Sequence, residues 1–281
     1  KKPQDSNGFK VILGGSTFQM LPGCVNRAAY SAARAVCRQE ILTKGICEIP
    51  GFLQPEAVRK ILCSAEQLKK RPGCGFRSFE EHNVYLEEKA DVSRIRSASF
   101  SSSKVLINQA ELAEGCPELV ELFHWDGLRQ LLQEAFGLEK LFCSADPLGG
   151  VYLNFFEKGD QLGWHFDRSE YSVNLILREC KRDGNSKPGA FMYIPDSRTF
   201  LDAHPDFDLS ILDGPTDAAG LKPMIVPDLK PGTLYLFAGK RSLHCVSQNT
   251  TEVCRVNAIF TFNLEPNVSL NEYTRRKFFG A

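Results

Sequence analysis

The stretch LGWHFDRSEYSVNLIL, residues 162–177, sets His165 and Asp167 two positions apart at the approach to a hydrophobic strand. A buried imidazole and a buried carboxylate each need a partner or access to water. If residues 163–167 are extended, side chains alternate and His165 and Asp167 share one face. They then form two corners of a metal site, and the third must come from a distant strand. The segment GKRSLHCVSQ offers His244, just after the run PGTLYLFAG. Two histidines and a carboxylate make a facial triad with open coordination positions, an arrangement suited to non-haem Fe(II) oxygenases. Zinc also accepts His and Asp, so the ligand set alone leaves both metals open.

From Leu141 onward the chain reads as short β-type runs: GVYLNFFEKG, YSVNLILREC, GAFMYIP, PMIVPD, GTLYLFAG, SLHCVSQ and CRVNAIFTFNL. Gly, Pro, Asn and Asp punctuate them with no helical stretch between, which predicts an antiparallel sandwich or barrel in a mainly β protein with flanking helices. The polar interval 196–223 is expected to be a lid or surface insertion. Residues 1–140 read as mainly helical support for a β core over 141–265, all in one domain of 281 residues. Helices are predicted from Asn26 to Lys44, stopped by Gly45, from Pro55 to Arg71, and from Pro117 to Phe136. A short strand is expected in GICEIPG. The serine-rich SRIRSASFSSSKVLINQAELAEG reads as an irregular loop beside a binding site, or simply a solvated one.

The 34 basic and 34 acidic residues cancel, and no basic tract is interleaved with aromatics, so nucleic acid is not an expected partner. No window approaches a membrane span. The opening KKPQDSNGFKVILGG has an apolar run too short for a signal peptide, and Gly14-Gly15 reads as a turn rather than a nucleotide loop. Ten cysteines are scattered singly, without a zinc or C-x-x-C pattern. They are expected to be reduced thiols in a cytoplasmic or other reducing intracellular compartment. His82, His124 and His204 have no partner at metal spacing and read as ordinary surface or core residues.

Eleven residues after His244, Arg255 stands inside the apolar strand CRVNAIFTFN. A guanidinium there needs a carboxylate to satisfy its fork, and a cosubstrate can supply one. The ordered set of W-H-x-D, a distal His and an Arg about ten residues on resembles the Fe(II)/2-oxoglutarate-dependent dioxygenase superfamily over about residues 141–264. The resemblance implies a double-stranded β-helix (jelly-roll, cupin-like) core. It implies Fe(II) on His165, Asp167 and His244, with 2-oxoglutarate and O2 as cosubstrates and Arg255 anchoring the far carboxylate of 2-oxoglutarate. Asn154, on the face of Tyr152 and Phe156, is a second anchor candidate, and Asn257, Ile259 and Thr261 share the face of Arg255. Related halogenases carry a small residue in place of Asp167, so the aspartate argues against halogenation.

The phrase GWHFD looks most like the branch of free amino-acid hydroxylases and halogenases. Arg168 at the cavity mouth, with Arg94 and Arg96, could bind a carboxylate-rich substrate, although each also reads as a solvated surface charge. Trp164 packs the barrel rim or touches substrate, and Tyr152 and Thr261 complete the substrate candidates. These features are compatible with algal kainoid synthases, which oxidatively cyclise a prenylated glutamate derivative. A peptidyl hydroxylase of the same superfamily and a non-catalytic barrel binding a small acid are the alternatives.

Overall fold

The computed structural model describes residues 22–88, 93–180, 188–213, 221–226 and 230–281. The N-terminal run and Gly14-Gly15 lie outside the described residues. Helix α1 (Arg27–Lys44) starts where Asn26 Oδ1 accepts from the N–H groups of Ala28 and Ala29. It ends at Gly45, whose φ of 74° suits glycine and whose missing side chain leaves room for Pro195. Strand β1 (Ile46–Ile49) follows as predicted, then α2 (Pro55–Lys70), opened by its proline and buried through Val58, Ile61, Ala65 and Leu68.

The N-terminal half holds one strand without an expectation, and two expectations there need correction. Residues 76–82 form a strand, β2 (Phe76–His82), for which no expectation was made. The serine-rich segment is ordered structure, comprising α3 (Arg94–Ser97), β3 (Phe100–Ile107) and α4 (Gln109–Gly115). Its strand hides from pattern reading because Ser102, Ser103 and Lys104 are buried yet polar, so no apolar alternation shows. The helix expected over 117–136 is two, α5 (Pro117–His124) and α6 (Asp126–Phe136), broken where Trp125 is extended and lays its indole on Gly127. Helical residues predominate among the described residues of this portion, and its strands β1, β2 and β3 join the main sheet.

The later strands fall where the β-type runs predicted them: β5 (Val151–Phe156), β6 (Leu162–His165), β7 (Tyr171–Arg178), β8 (Phe191–Ile194), β9 (Met224–Ile225), β10 (Leu234–Phe237), β11 (Leu243–Val246) and β12 (Arg255–Asn263). A two-residue β4 (Phe142–Cys143) pairs with β12. The major sheet runs β1-β10-β7-β12-β5-β3-β2 and the minor sheet β6-β11-β8-β9, with every pairing antiparallel. This is the mixed α+β, jelly-roll architecture expected.

Alternation divides the major sheet into two faces. Leu153, Phe155, Val173, Leu175, Val256, Ala258 and Phe260 pack outward against helical Leu119, Phe123, Leu128 and Leu131. Each fully buried Val, Leu or Phe side chain of this interface contributes about 1.5–3 kcal/mol. The opposite face, with Asn154, Asn174 and Asn257, turns inward to a cavity between the sheets.

Residues 198–213 form α7 (Arg198–Ala203) and a 3-10 turn, packed through Leu201, Leu209 and Leu212 against Trp164, Phe166 and Leu243 on the outside of the minor sheet. The described part of the 196–223 interval is thus an outer buttress, and none of its residues lines the cavity. The chain closes with α8 (Glu272–Thr274) and a π turn, Arg275–Phe279. The expectation of ten reduced thiols is corrected at one pair: Cys37 on α1 and Cys47 on β1 form a disulfide, while the other eight are free. Among the described residues no helix is long and apolar enough to cross a membrane.

Candidate active site

His165 ends β6 and His244 lies on β11, where the two residues pair directly across the minor sheet. Their rings lie 4.2 Å apart, and Asp167, in the turn after β6, closes the group. Asp167 Oδ1 is 3.5 Å from His165 Nε2 and 3.4 Å from His244 Nε2. One ligand atom from each residue lies within 4.8 Å of the others. Each histidine uses Nδ1 on a backbone carbonyl two residues back, His165 on Gly163 O at 2.9 Å and His244 on Ser242 O at 2.8 Å. A carbonyl only accepts, so the protons sit on Nδ1 and both Nε2 lone pairs are free for a metal.

The electrostatics agree with that assignment. Burial, reinforced by His244, pushes His165 below the ordinary imidazole value. Burial alone would raise the Asp167 carboxyl, but a proton carried by His244 or His165 outweighs it and puts the group well below the usual carboxylate range. A neutral imidazole and an ionised carboxylate are the forms that ligate metals. Ser172 donates its hydroxyl to Asp167 Oδ2. Gly239 makes room for the same carboxylate, since a β-carbon there would sit 2.0 Å from Oδ2. The three residues form a buried metal-binding triad.

The cavity they face lies between the two sheets. Tyr152, Asn154, Asn257, Ile259 and Thr261 all line it, as the shared-face reading predicted. Thr261 donates to the carbonyl oxygens of Gly149 and Gly150 at 2.8 and 3.1 Å, so its hydroxyl is engaged in the frame. Asn257 accepts from Arg255 Nη1 at 3.0 Å and donates to Asn174 Oδ1 at 2.8 Å. Among the described residues Asn154 Oδ1 is buried without a partner.

Arg255 is fully buried behind this wall, its guanidinium 5.6 Å from the ring of Phe156, which lines the cavity. The sequence reading left its carboxylate partner to a cosubstrate, and that is corrected in part: Glu179 Oε1 accepts from Arg255 Nε at 3.1 Å. Among the described residues Nη2 has no hydrogen-bond partner, and neither has the hydroxyl of buried Tyr235.

The substrate candidates fare unevenly. Arg168 lines the cavity, but its Nη1 lies 2.5 Å from Glu87, and Arg96 lies 3.2 Å from the other oxygen of that carboxylate. Arg94 is exposed and pairs with Asp208. Trp164 does not reach the cavity: with His165 facing in, alternation turns Trp164 and Phe166 outward into the buttress cluster.

Sequence reasoning missed Lys104. It lines the cavity, is 4% exposed, and carries its ammonium 5.3 and 5.8 Å from the ring centroids of Phe278 and Tyr152. No described carboxylate forms an ion pair with it. Burial lowers it to about 8, with Asp167 opposing. Ser172 and Asn174 left a readable sign, two polar residues at alternate positions of an apolar strand; Lys104 left none.

The C-terminal segment forms the remaining wall through Leu270, Thr274, Phe278 and Phe279. It is tied down by Asp146, which accepts from Leu270 N at 3.1 Å and from Arg275 Nε at 2.9 Å.

No family model and no curated protein matches this chain. Solved structures do. The α-ketoglutarate-dependent epimerase SnoN of nogalamycin biosynthesis superposes with a TM-score of 0.55 at 14% identity, over 84% of this chain and 83% of that one. The carbocyclase SnoK of the same pathway gives 0.53 at 13%, over 89% and 87%. A prolyl 4-hydroxylase from Phytophthora capsici gives 0.54 at 16%, over 95% and 76%. At such identities the likeness shows the fold. The chain has the architecture of Fe(II)/2-oxoglutarate oxygenases, with a buried His-Asp-His triad in it.

Proposed function

We propose that this protein is an Fe(II)/2-oxoglutarate-dependent dioxygenase that oxidises an unactivated C–H bond of a small, acidic amino-acid derivative. The outcome is hydroxylation or oxidative ring closure of the kainoid-synthase type. The observation that carries the oxygenase reading is the triad itself: two Nε2 lone pairs and a carboxylate converge in a cavity, and both ring tautomers are set by backbone carbonyls. Three protein ligands leave positions for further ligands, as an oxygenase requires.

The residues around the triad fit 2-oxoglutarate. Arg255 Nη2 and the Tyr235 hydroxyl are buried donors without partners, which is costly unless an acceptor reaches them. Asn154, the second anchor candidate, lines the same cavity. When bound, iron and 2-oxoglutarate would supply the oxidising equivalent from O2, releasing succinate and CO2. The protein's own task is to orient and to exclude water. Asn257 and Glu179 hold the Arg255 fork from two sides. Phe278 and Phe279 wall the cavity off, which favours a small molecule over a peptide.

Support for an acidic substrate rests on Lys104 more than on the loop arginines, because Arg168, Arg96 and Arg94 already face protein carboxylates. The test is incubation with Fe(II), 2-oxoglutarate and O2 and a panel of amino-acid derivatives carrying one, two or three carboxylates. Succinate should appear with a +16 or −2 change in substrate mass. Absence of 2-oxoglutarate binding to the Fe(II)-loaded protein would end the oxygenase reading, and preference for a basic amino acid would end the acidic-substrate one.

A further inference from the structure

The metal ligand His165 leans on a residue that the sheet itself does not hold. Between β6 and β11 the register shifts: His165 faces His244, but Leu162 faces Val246. Gly163 and Trp164 together therefore oppose Cys245, a β-bulge of the sort that re-aims side chains next to active sites. The bulge takes the Gly163 N–H out of the ladder, and it donates to Ser102 Oγ at 2.9 Å. The carbonyl of the same residue accepts from His165 Nδ1 at 2.9 Å. Whatever fixes Gly163 thus fixes the ring that would hold the metal.

Ser102 is delivered to this place by close strand contact. A β-carbon on Gly163 would fall 2.6 Å from Phe100 Cβ and 2.9 Å from Ser101 O, so β3 lies flush against β6 only because residue 163 has no side chain. The serine hydroxyl is itself directed. His82 Nδ1 lies 3.1 Å from Asn83 O, which only accepts, so Nδ1 carries the proton and Nε2 the lone pair. Ser102 Oγ, 2.6 Å from that Nε2, must donate to it and so turns its own lone pairs to the Gly163 N–H. His82 and Ser102 are 2% and 1% exposed, out of competition with bulk water. His82 also meets the His165 ring edge-on, with 6.1 Å between centroids.

We infer that Ser102 and His82 are positioning residues for the metal centre, acting through Gly163 to aim the Nε2 lone pair of His165. The inference rests on the metal reading of the triad. Neither side chain touches a triad ligand by hydrogen bond. Outer partners of this kind typically change metal affinity by about 10–100-fold.

The experiment titrates Co(II), as a spectroscopic stand-in for Fe(II), into the metal-free full chain and follows its d–d absorption alongside thermal unfolding. Ser102→Ala should weaken Co(II) about tenfold and shift the d–d bands, His82→Phe should weaken it about threefold, and Ser102→Thr should restore both midpoint and spectrum. Wild-type midpoint and spectrum in both Ser102→Ala and His82→Phe would overturn the inference, including when either variant melts at a lower temperature, because that pattern is support of the fold alone. Should Ser102→Ala fail to fold, Ser102→Cys and His82→Phe are judged by the same criteria. If the wild-type chain itself takes up no Co(II), the metal reading fails first, and the two failures are thereby told apart.

Discussion

The two sheets divide the chemistry of the cavity. The minor sheet supplies the metal end: His165 and His244 sit opposite each other on strands of four residues, with Asp167 in the following turn. The major sheet supplies the anion end, where Lys104, Asn154, Asn174, Asn257 and Arg255 come from β3, β5, β7 and β12. A metal site needs its ligands within a few ångströms, so two of the three stand close together in the chain. An anion site can collect single donors from strands far apart in sequence. The metal end therefore leaves a local motif and the anion end does not.

The sharpest way to break this division is at the metal. His165→Ala or His244→Ala should abolish tight Fe(II) binding and succinate production together, since each leaves two protein ligands. Full turnover in either variant would return the minor sheet to a structural role. The outward-facing position just after His165 gives the contrast. Phe166 is fully buried in the buttress cluster, and Phe166→Ala should cost about 3–5 kcal/mol of stability. Denaturant unfolding reads this, and a loss under about 1 kcal/mol would mean the buttress does not hold the metal strand.

At the anion end the effects are smaller. Arg255→Lys keeps the charge but loses the planar fork, so 2-oxoglutarate should weaken about tenfold or more while the metal affinity stays. The metal-to-ligand charge-transfer band under anaerobic conditions reports it, and an unchanged midpoint removes Arg255 from the cosubstrate site. Lys104 brings a pH dependence. Its ammonium is lowered to about 8, so the free protein carries that charge below about pH 8 and loses it above. Anionic ligands should bind more weakly as pH rises through that value, and Lys104→Met should flatten the profile. A wild-type profile in Lys104→Met would place the anion elsewhere. Arg168→Ala should do least, about threefold or below on an acidic substrate, because Glu87 already holds the guanidinium at 2.5 Å and the pair is partly solvated. A tenfold loss would show that substrate displaces Glu87.

Particular residues mark how far the sequence could be read. Alternation placed Tyr152, Asn154 and Phe156 on one face, and Asn257, Ile259 and Thr261 on another, and all six line the cavity. The same rule applied to Trp164 would have turned it outward, since a strand that points His165 inward must point its neighbour away. Helix ends were legible where capping chemistry is explicit, at Asn26, Gly45 and Pro55. The break at Trp125 was not, because it depends on an indole packing over Gly127, a contact that the residue pattern does not show. Strand β3 was missed for a related reason: its buried face is serine and lysine, residues that look solvated until the structure supplies their partners.

By itself the sequence determined the order of β-type runs, the pair His165 and Asp167, the distal His244 and the strand-borne Arg255. These follow from local rules, the period of two in a strand and the short reach of a metal ligand. Only the tertiary structure decided which charges are already taken. Glu179 on Arg255, Glu87 on Arg168 and the absence of any described carboxylate paired with Lys104 are distances between segments tens of residues or more apart. An ion pair forms through space over a few ångströms, whatever the separation along the chain, so the spacing of charges in a sequence does not say which of them remain free to bind.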